Sequence, residues 1–150
     1  MGKKRESRRK IGGKFTMSLE SDFEAIPIGF DLGEWEMILD EKTINSHADL
    51  MQWQAREVID QLHFAPPGTS INMHPRMQFA KFTNLKSAIW AKSEHEFLKP
   101  FKLGTKIKIR GRIVDKYIKR GRFFKVAEFE TLDENGEIIM RSRETGINVE

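Results

Sequence analysis

Between His63 and Val114 the chain reads HFAPPGTSINMHPRMQFAKFTNLKSAIWAKSEHEFLKPFKLGTKIKIRGRIV, and within that stretch its hydrophobic period changes. A Pro66-Pro67-Gly68 corner leads to Met77, Phe79, Ala80 and Phe82, a bulky apolar cluster at helical spacing. From Ser87 the pattern alternates every second residue, with breaks at Pro100 and Gly104. A helix with one apolar stripe and strands with one apolar face can each bury that surface only against the other. The switch therefore predicts an α+β domain in which strands wrap a helix.

The predicted strands run from Ser87 to Leu98, Thr105 to Lys119, Arg122 to Asp133 and Glu137 to Val149. Lys119-Arg120-Gly121-Arg122 and Asp133-Glu134-Asn135-Gly136 join the last three, and the Asn-Gly pair tolerates the positive φ of a tight hairpin. An antiparallel meander follows. Along the strand from Thr105, Ile107, Ile109, Gly111 and Ile113 share one face, while Lys106, Lys108, Arg110 and Arg112 share the other. That strand has one dry side and one wet side.

Upstream, Gly33 releases a strand over Glu34 to Asp40. Ile44, Ala48, Met51, Ala55, Val58, Ile59 and Leu62 then predict a helix from Thr43 to Leu62, with Thr43 as N-cap and Ile44, Ala48 and Met51 facing inward. Asn45, Asp49, Gln52, Arg56 and Asp60 form its solvated face. His47 and His63 fall near its two ends, as surface or cap histidines. Ile11 to Ile28, with helical spacing at Phe15, Leu19 and Phe23, reads as a leading segment on the edge of the domain.

A length of 150 residues suits one domain. No apolar run approaches the ~20 residues of a membrane span, and the basic start is not followed by a secretory apolar core, so a cytoplasmic protein without membrane contact is expected. The absence of cysteine excludes disulfides, thiolate metal sites and a Cys nucleophile. Of the 26 Lys and Arg, six lie in residues 1–10 with one acid, so the net charge of +4 belongs to the N-terminus and the body is nearly neutral. Residues 1–12 are read as a basic flexible arm and 13–150 as a single domain. Myristoylation at Gly2 is disfavoured because Glu6 stands where Ser or Thr is expected.

Two stretches invite a functional reading. Pro66 and Pro67 fix the backbone and Gly68 permits close approach. If the next helix begins at Thr69 or Ser70, its free N–H groups point beside Gly68 and suit a carbonyl oxygen or an anion. Pro66, Pro67, Gly68 and Thr69 are thus candidate substrate-binding residues; the plainer reading is an ordinary loop before an N-capped helix. The second stretch, Lys106 to Lys125, carries nine Lys or Arg and one acid, Asp115. Three readings compete there: a solvated sheet face, a contact for an anionic carrier or coenzyme phosphate through Lys108, Arg110 and Arg112, and nucleic acid. Tyr117, Phe123 and Phe124 are too few to form an array of stacking platforms, which weakens the third.

Long antiparallel strands on one apolar helix entered through a Pro-Gly corner resemble the hotdog fold. The chain more closely resembles the MaoC-like hydratase and dehydratase family, in particular the N-terminal type of domain in its two-domain and two-subunit members. Phe64-Ala65-Pro66-Pro67-Gly68 is similar to the loop before that family's central helix. Glu96-Phe97-Leu98-Lys99-Pro100 followed by Gly104-Thr105 is similar to its passage between strands, and Gly111 to Tyr117 and Asp133 to Glu137 to its last hairpins. The resemblance covers about Gly33 to Val149.

The resemblance implies a hotdog domain acting on an acyl thioester, on coenzyme A or acyl carrier protein, with 3-hydroxyacyl and enoyl forms interconverted by loss or gain of water. It implies no metal and no cofactor beyond that carrier, and a homodimer or a heterodimer with another hotdog protein. The family's Asp and His lie about five residues apart in a segment resembling A…G-D-x-N-P-x-H. Counting from Ala48, those positions hold Trp53 and Val58, with no Asn-Pro pair nearby. Asp49, His63 and His74 remain as substitute catalytic candidates. Two hypotheses result: a hydratase or dehydratase that needs a partner half, and a non-catalytic acyl-binding subunit. Nucleic-acid binding through the arm and ribbon is the remote third.

Overall fold

The computed structural model describes residues 23–82 and 87–149; the arm 1–12, with Phe15 and Leu19 of the leading segment, lies outside them. In chain order the elements are β1 (Asp31–Ile38), α1 (Glu41–Leu50), α2 (Arg56–Asp60), β2 (Phe64–Ala65), α3 (Met73–Lys81), β3 (Ser87–Phe97), β4 (Phe101–Lys102), β5 (Lys106–Lys119), β6 (Arg122–Leu132) and β7 (Ile138–Val149). Five strands form one antiparallel sheet in the order β1-β5-β6-β7-β3, and β2 pairs with β4.

The meander expected after the helix exists as β5-β6-β7, but β3 pairs with β7 at the far edge instead of with β5. The helices carry the chain from the β1 edge to the β3 edge, and the 98–105 segment returns it to β5 beside β1. Pro100, which cannot donate to a ladder, ends β3's run, and Gly104, at φ 78°, makes the turn into β5. Leu98 and Lys99 meanwhile donate to the Ile139 carbonyl at 2.9 and 3.3 Å.

The inner face of the sheet closes on two apolar clusters. Met77 and Phe82 meet Ile109, Ile113, Ala127 and Phe129, together with Ile26 and Leu32. Ile44, Ala48 and Ile59 meet Leu39, Ala65, Phe101, Ile107, Ile139 and Met140. Each large side chain so buried contributes about 1.5–3 kcal/mol, which holds the helical segment against the sheet.

Four expectations are corrected. The 43–62 helix is two helices: Gln52, at φ 53°, breaks it, and the break lets Ala48 and Ile59 join one cluster while Met51 stays 64% exposed. Asp40, not Thr43, caps α1, its Oδ1 accepting from the Thr43 N–H at 2.8 Å. The central helix begins at Met73, so the start at Thr69 or Ser70 on which the carbonyl reading depends is not met; the start is delayed to the His74-Pro75 pair, because residues 67–72 form turns and Pro75 sits in the first helical turn, where its missing N–H costs little. β1 also starts earlier than expected, at Asp31, with a bulge between Asp31 and Gly33.

Candidate functional site

Late helix initiation changes what the Pro66–Thr69 corner can do. Pro66 and Thr69 are buried, and the Thr69 hydroxyl donates to the Pro66 carbonyl at 2.6 Å, so Thr69 locks the turn. Gly68 adopts φ 78°, and a Cβ there would lie 2.8 Å from Ile71 Cδ1 and 3.8 Å from Phe97 Cζ. The close approach that glycine permits is therefore made by Ile71 of the same chain. Helical N–H groups do not converge beside Gly68, and that premise for a carbonyl site falls with the helix start.

Next to the corner an apolar cleft of about 300 Å³ opens between α2, β2 and the end of β3, lined by Val58, Phe64, Ala65, Pro67, Phe97 and Leu98 among others. Lys99, its one charged lining residue, is paired with Glu137. The cleft suits an alkyl chain or the methylene part of a larger ligand, with a cation at its rim.

A polar cluster lies deeper, on the inner face of β7. His74 of α3 is fully buried; its Nδ1 lies 2.5 Å from Glu144 Oε1 and its ring stacks on Phe129 at 4.0 Å with 1° between planes. Ser142, two residues before Glu144, holds His95 Nδ1 at 2.8 Å. Burial depresses the His95 pKa below its ordinary value, with the Glu144 charge opposing and His74 assisting. Ser70 and Thr131 hydroxyls meet at 3.3 Å close by.

Of the catalytic candidates, His74 is thus joined to a carboxylate, but one that comes from a strand 70 residues on. Asp49 lies at the surface, 2.6 Å from Arg56 Nη2. His63 is exposed at φ 56°, in the turn before β2. The three do not converge. Glu144 and His95 were not singled out in the sequence; the available signal was phase, since each falls on the alternation that places Ser142 and Phe97 on the inner side of its strand.

On the outer face the basic ribbon is largely neutralised. Lys108, Arg110 and Arg112 face Glu34, Glu130 and Glu128 at 3.2, 2.6 and 3.4 Å. Arg141 and Arg143 continue the alternation toward β3 through Glu96 and Glu128. A shallow depression of about 890 Å³ spans this face, and its carboxylates and guanidinium groups are matched strand by strand. An anion placed here would compete with carboxylates already in position.

No protein-family model matches the chain, and a search of curated proteins finds no match. Solved structures do match. An (R)-hydratase from A. caviae involved in PHA biosynthesis superposes with a TM-score of 0.69 at 8% identity, over 82% of this chain and 97% of that one. A MaoC-like dehydratase from Rhodospirillum rubrum gives 0.62 at 14% identity, over 85% and 96%. The HadBC (3R)-hydroxyacyl-ACP dehydratase complex from Mycobacterium tuberculosis gives 0.64 at 17% identity, over 77% and 95%. The chain has the hotdog fold. In this hotdog domain the positions that the resemblance assigns to Asp and His are packing positions. Trp53 packs against the second core cluster and donates its indole N–H to the Ala55 carbonyl at 3.0 Å, and Val58 lines the apolar cleft. No group of three or more His, Cys, Asp or Glu suited to a metal ion occurs among the described residues, nor a helix long and apolar enough to cross a membrane.

Proposed function

We propose that this hotdog chain is the acyl-thioester-binding half of a hydratase or dehydratase assembly, and that a second hotdog subunit supplies the Asp and His. The substrate class is a 3-hydroxyacyl or enoyl thioester on coenzyme A or acyl carrier protein. In the dehydration direction a base takes the Cα proton and an acid protonates the departing hydroxyl, so that water leaves and the double bond forms; hydration is the reverse. The single observation that carries the reading is Val58. It stands in the cleft wall where the resemblance expects an imidazole, which gives this chain an acyl-sized surface with no acid or base at that place. Pro67 lines the same wall, while Pro66, Gly68 and Thr69 shape it from behind.

The partner would join at β3. Its 11 residues form one edge of the sheet, with Ile89, Trp90 and Phe97 exposed along it. A long edge strand that exposes apolar side chains is a template for another strand. The alternative, a purely acyl-binding subunit, shares the cleft and the edge and differs only in whether turnover appears on assembly.

The experiment is enoyl-thioester hydration, followed by loss of the conjugated absorbance. Isolated protein is expected to show none and to restore activity when mixed with a catalytic hotdog subunit. Robust turnover by the isolated chain would overturn the partner requirement. Failure of a saturated acyl-CoA to bind in calorimetry would overturn the acyl reading itself.

A further inference from the structure

The sequence ribbon from Lys106 to Lys125 is not one surface. Its proximal cations are paired on the outer face, but at the distal end Lys119, Arg120 and Arg122 make no ion pair among the described residues and are exposed. They form the tip of the β5–β6 hairpin, whose last pairs, Ile118↔Phe123 and Lys119↔Arg122, run past Phe124↔Ile147, the final β6–β7 pair in the register. The tip is a projection, not a groove.

Two local rules are broken there. Arg120 and Gly121 both have positive φ, 51° and 71°, so the turn needs Asn, Asp or Gly at its first centre and carries an arginine. Lys119 and Arg122 also face each other as like charges across the final rung. A strained residue and an unfavourable pair stand side by side here, both cationic, and neither adds to the stability of the hairpin. Beside them Ile118 is 59% exposed on one side of the hairpin and Tyr117 is 39% exposed on the other. The chain enters the described fold at Phe23, which packs on Phe123 of this hairpin at 5.1 Å.

We propose that this hairpin tip docks the protein on an anionic phospholipid surface, Ile118 and Tyr117 entering the headgroup layer and Lys119, Arg120 and Arg122 meeting lipid phosphates. Apolar side chains on both sides of a cationic projection suit a flat, deformable, negatively charged surface. Nucleic acid is the poorer fit: it needs a groove and open aromatic faces, whereas Tyr117 and Phe124 stack on each other at 4.8 Å and 10°. The inference does not depend on the acyl reading.

The test is co-sedimentation of the full chain with vesicles of phosphatidylglycerol and phosphatidylcholine against vesicles of phosphatidylcholine alone. Binding is expected only to the anionic vesicles and to weaken as salt is raised. At about five-fold per cation, the triple variant Lys119→Ala/Arg120→Gly/Arg122→Ala should partition roughly 100-fold more weakly. Ile118→Ser should weaken binding with all cations in place. Arg120→Gly alone should raise Tm while lowering vesicle binding, which separates docking from folding. Absence of anionic-vesicle binding, or full binding by the triple variant, would overturn the proposal. So would retention of a single-stranded oligonucleotide that the triple variant loses, with no vesicle partition at the same salt.

Discussion

His74 and Glu144 stand 70 residues apart in sequence and 2.5 Å apart in the interior, where they tie α3 to β7 across the inner face of the sheet. Removing one partner leaves the other buried with an unmet polar group, which typically costs about 1–3 kcal/mol; replacing both with apolar groups of similar shape does not. Glu144→Ala should therefore lower stability by about 1–3 kcal/mol, and His74→Phe/Glu144→Leu by clearly less. Denaturant unfolding of the two variants checks this, and a double variant weaker than the single would show that the pair is not the source of the loss.

Phe129, on which His74 stacks, also dictates a glycine. A Cβ at Gly111 would lie 2.5 Å from Phe129 Cδ1 and Cε1, although Gly111 has no unusual φ. The requirement is steric, and overpacking of this kind costs about 1–3 kcal/mol. Gly111→Ala should cost within that range in the native chain and less in a Phe129→Leu background, read from thermal unfolding of the four-member cycle.

What the sequence disclosed and what it hid divide by range. The spans of β5, β6 and β7 were legible within a residue because alternation and tight-turn chemistry are local. The place of β3 was not, since an alternating strand does not state which neighbour it pairs with, and the 98–105 passage between strands carries no sign that it returns from the far edge. The α1–α2 break was missed because Ala48 and Ile59 keep helical phase across the non-helical residues 51–55, where Gln52 turns to positive φ. The His74–Glu144 contact had no local signal at all. The basic ribbon misled because its neutralising carboxylates lie on β1 and β6, and charge counted along a chain says nothing of charge counted across a sheet.

The His95 imidazole should make stability sensitive to mild acid. Burial lowers its folded pKa below the unfolded value of about 6.5, so the unfolded state binds the proton first. Its contribution is fully present above about pH 6.5 and is lost as pH falls through the folded pKa. Glu36, Asp40 and Glu94, held below their ordinary carboxylate values by Lys106, Thr43 and Lys92 in turn, lose their contributions only at lower pH, so the windows are distinct. His95→Asn, which can still meet Ser142, should flatten the fall in Tm between about pH 7 and 5.5; an unchanged slope would assign the sensitivity elsewhere.

Glu128 bridges two cations on the outer face, accepting from Arg143 Nη1 at 2.7 Å and facing Arg112 at 3.4 Å. Exposed pairs contribute little, so Glu128→Gln should cost under about 1 kcal/mol. Glu128→Lys, which sets three cations abreast on β5, β6 and β7, should cost more and recover as salt is raised to about 1 M, where screening shortens to about 3 Å. Urea midpoints at low and high salt distinguish the two variants.

The cleft beside Pro67 allows a test of its own, because its wall can be changed in both directions at Val58. That side chain is half-buried on α2 and is not a member of the second core cluster. Val58→Trp adds bulk toward the cleft of about 300 Å³ and should exclude an acyl chain while leaving the interior packing intact. Val58→Ala removes two methyl groups and should widen the same space at a cost of about 1–2 kcal/mol of stability. If the cleft holds the acyl chain, Trp should weaken acyl-CoA binding by at least about ten-fold, and Ala should shift the preferred chain toward longer lengths. Since one methylene in an apolar pocket is worth about 1 kcal/mol, that shift is measurable in a chain-length series. Equal affinities for the three proteins across the series would place the acyl chain elsewhere on the fold.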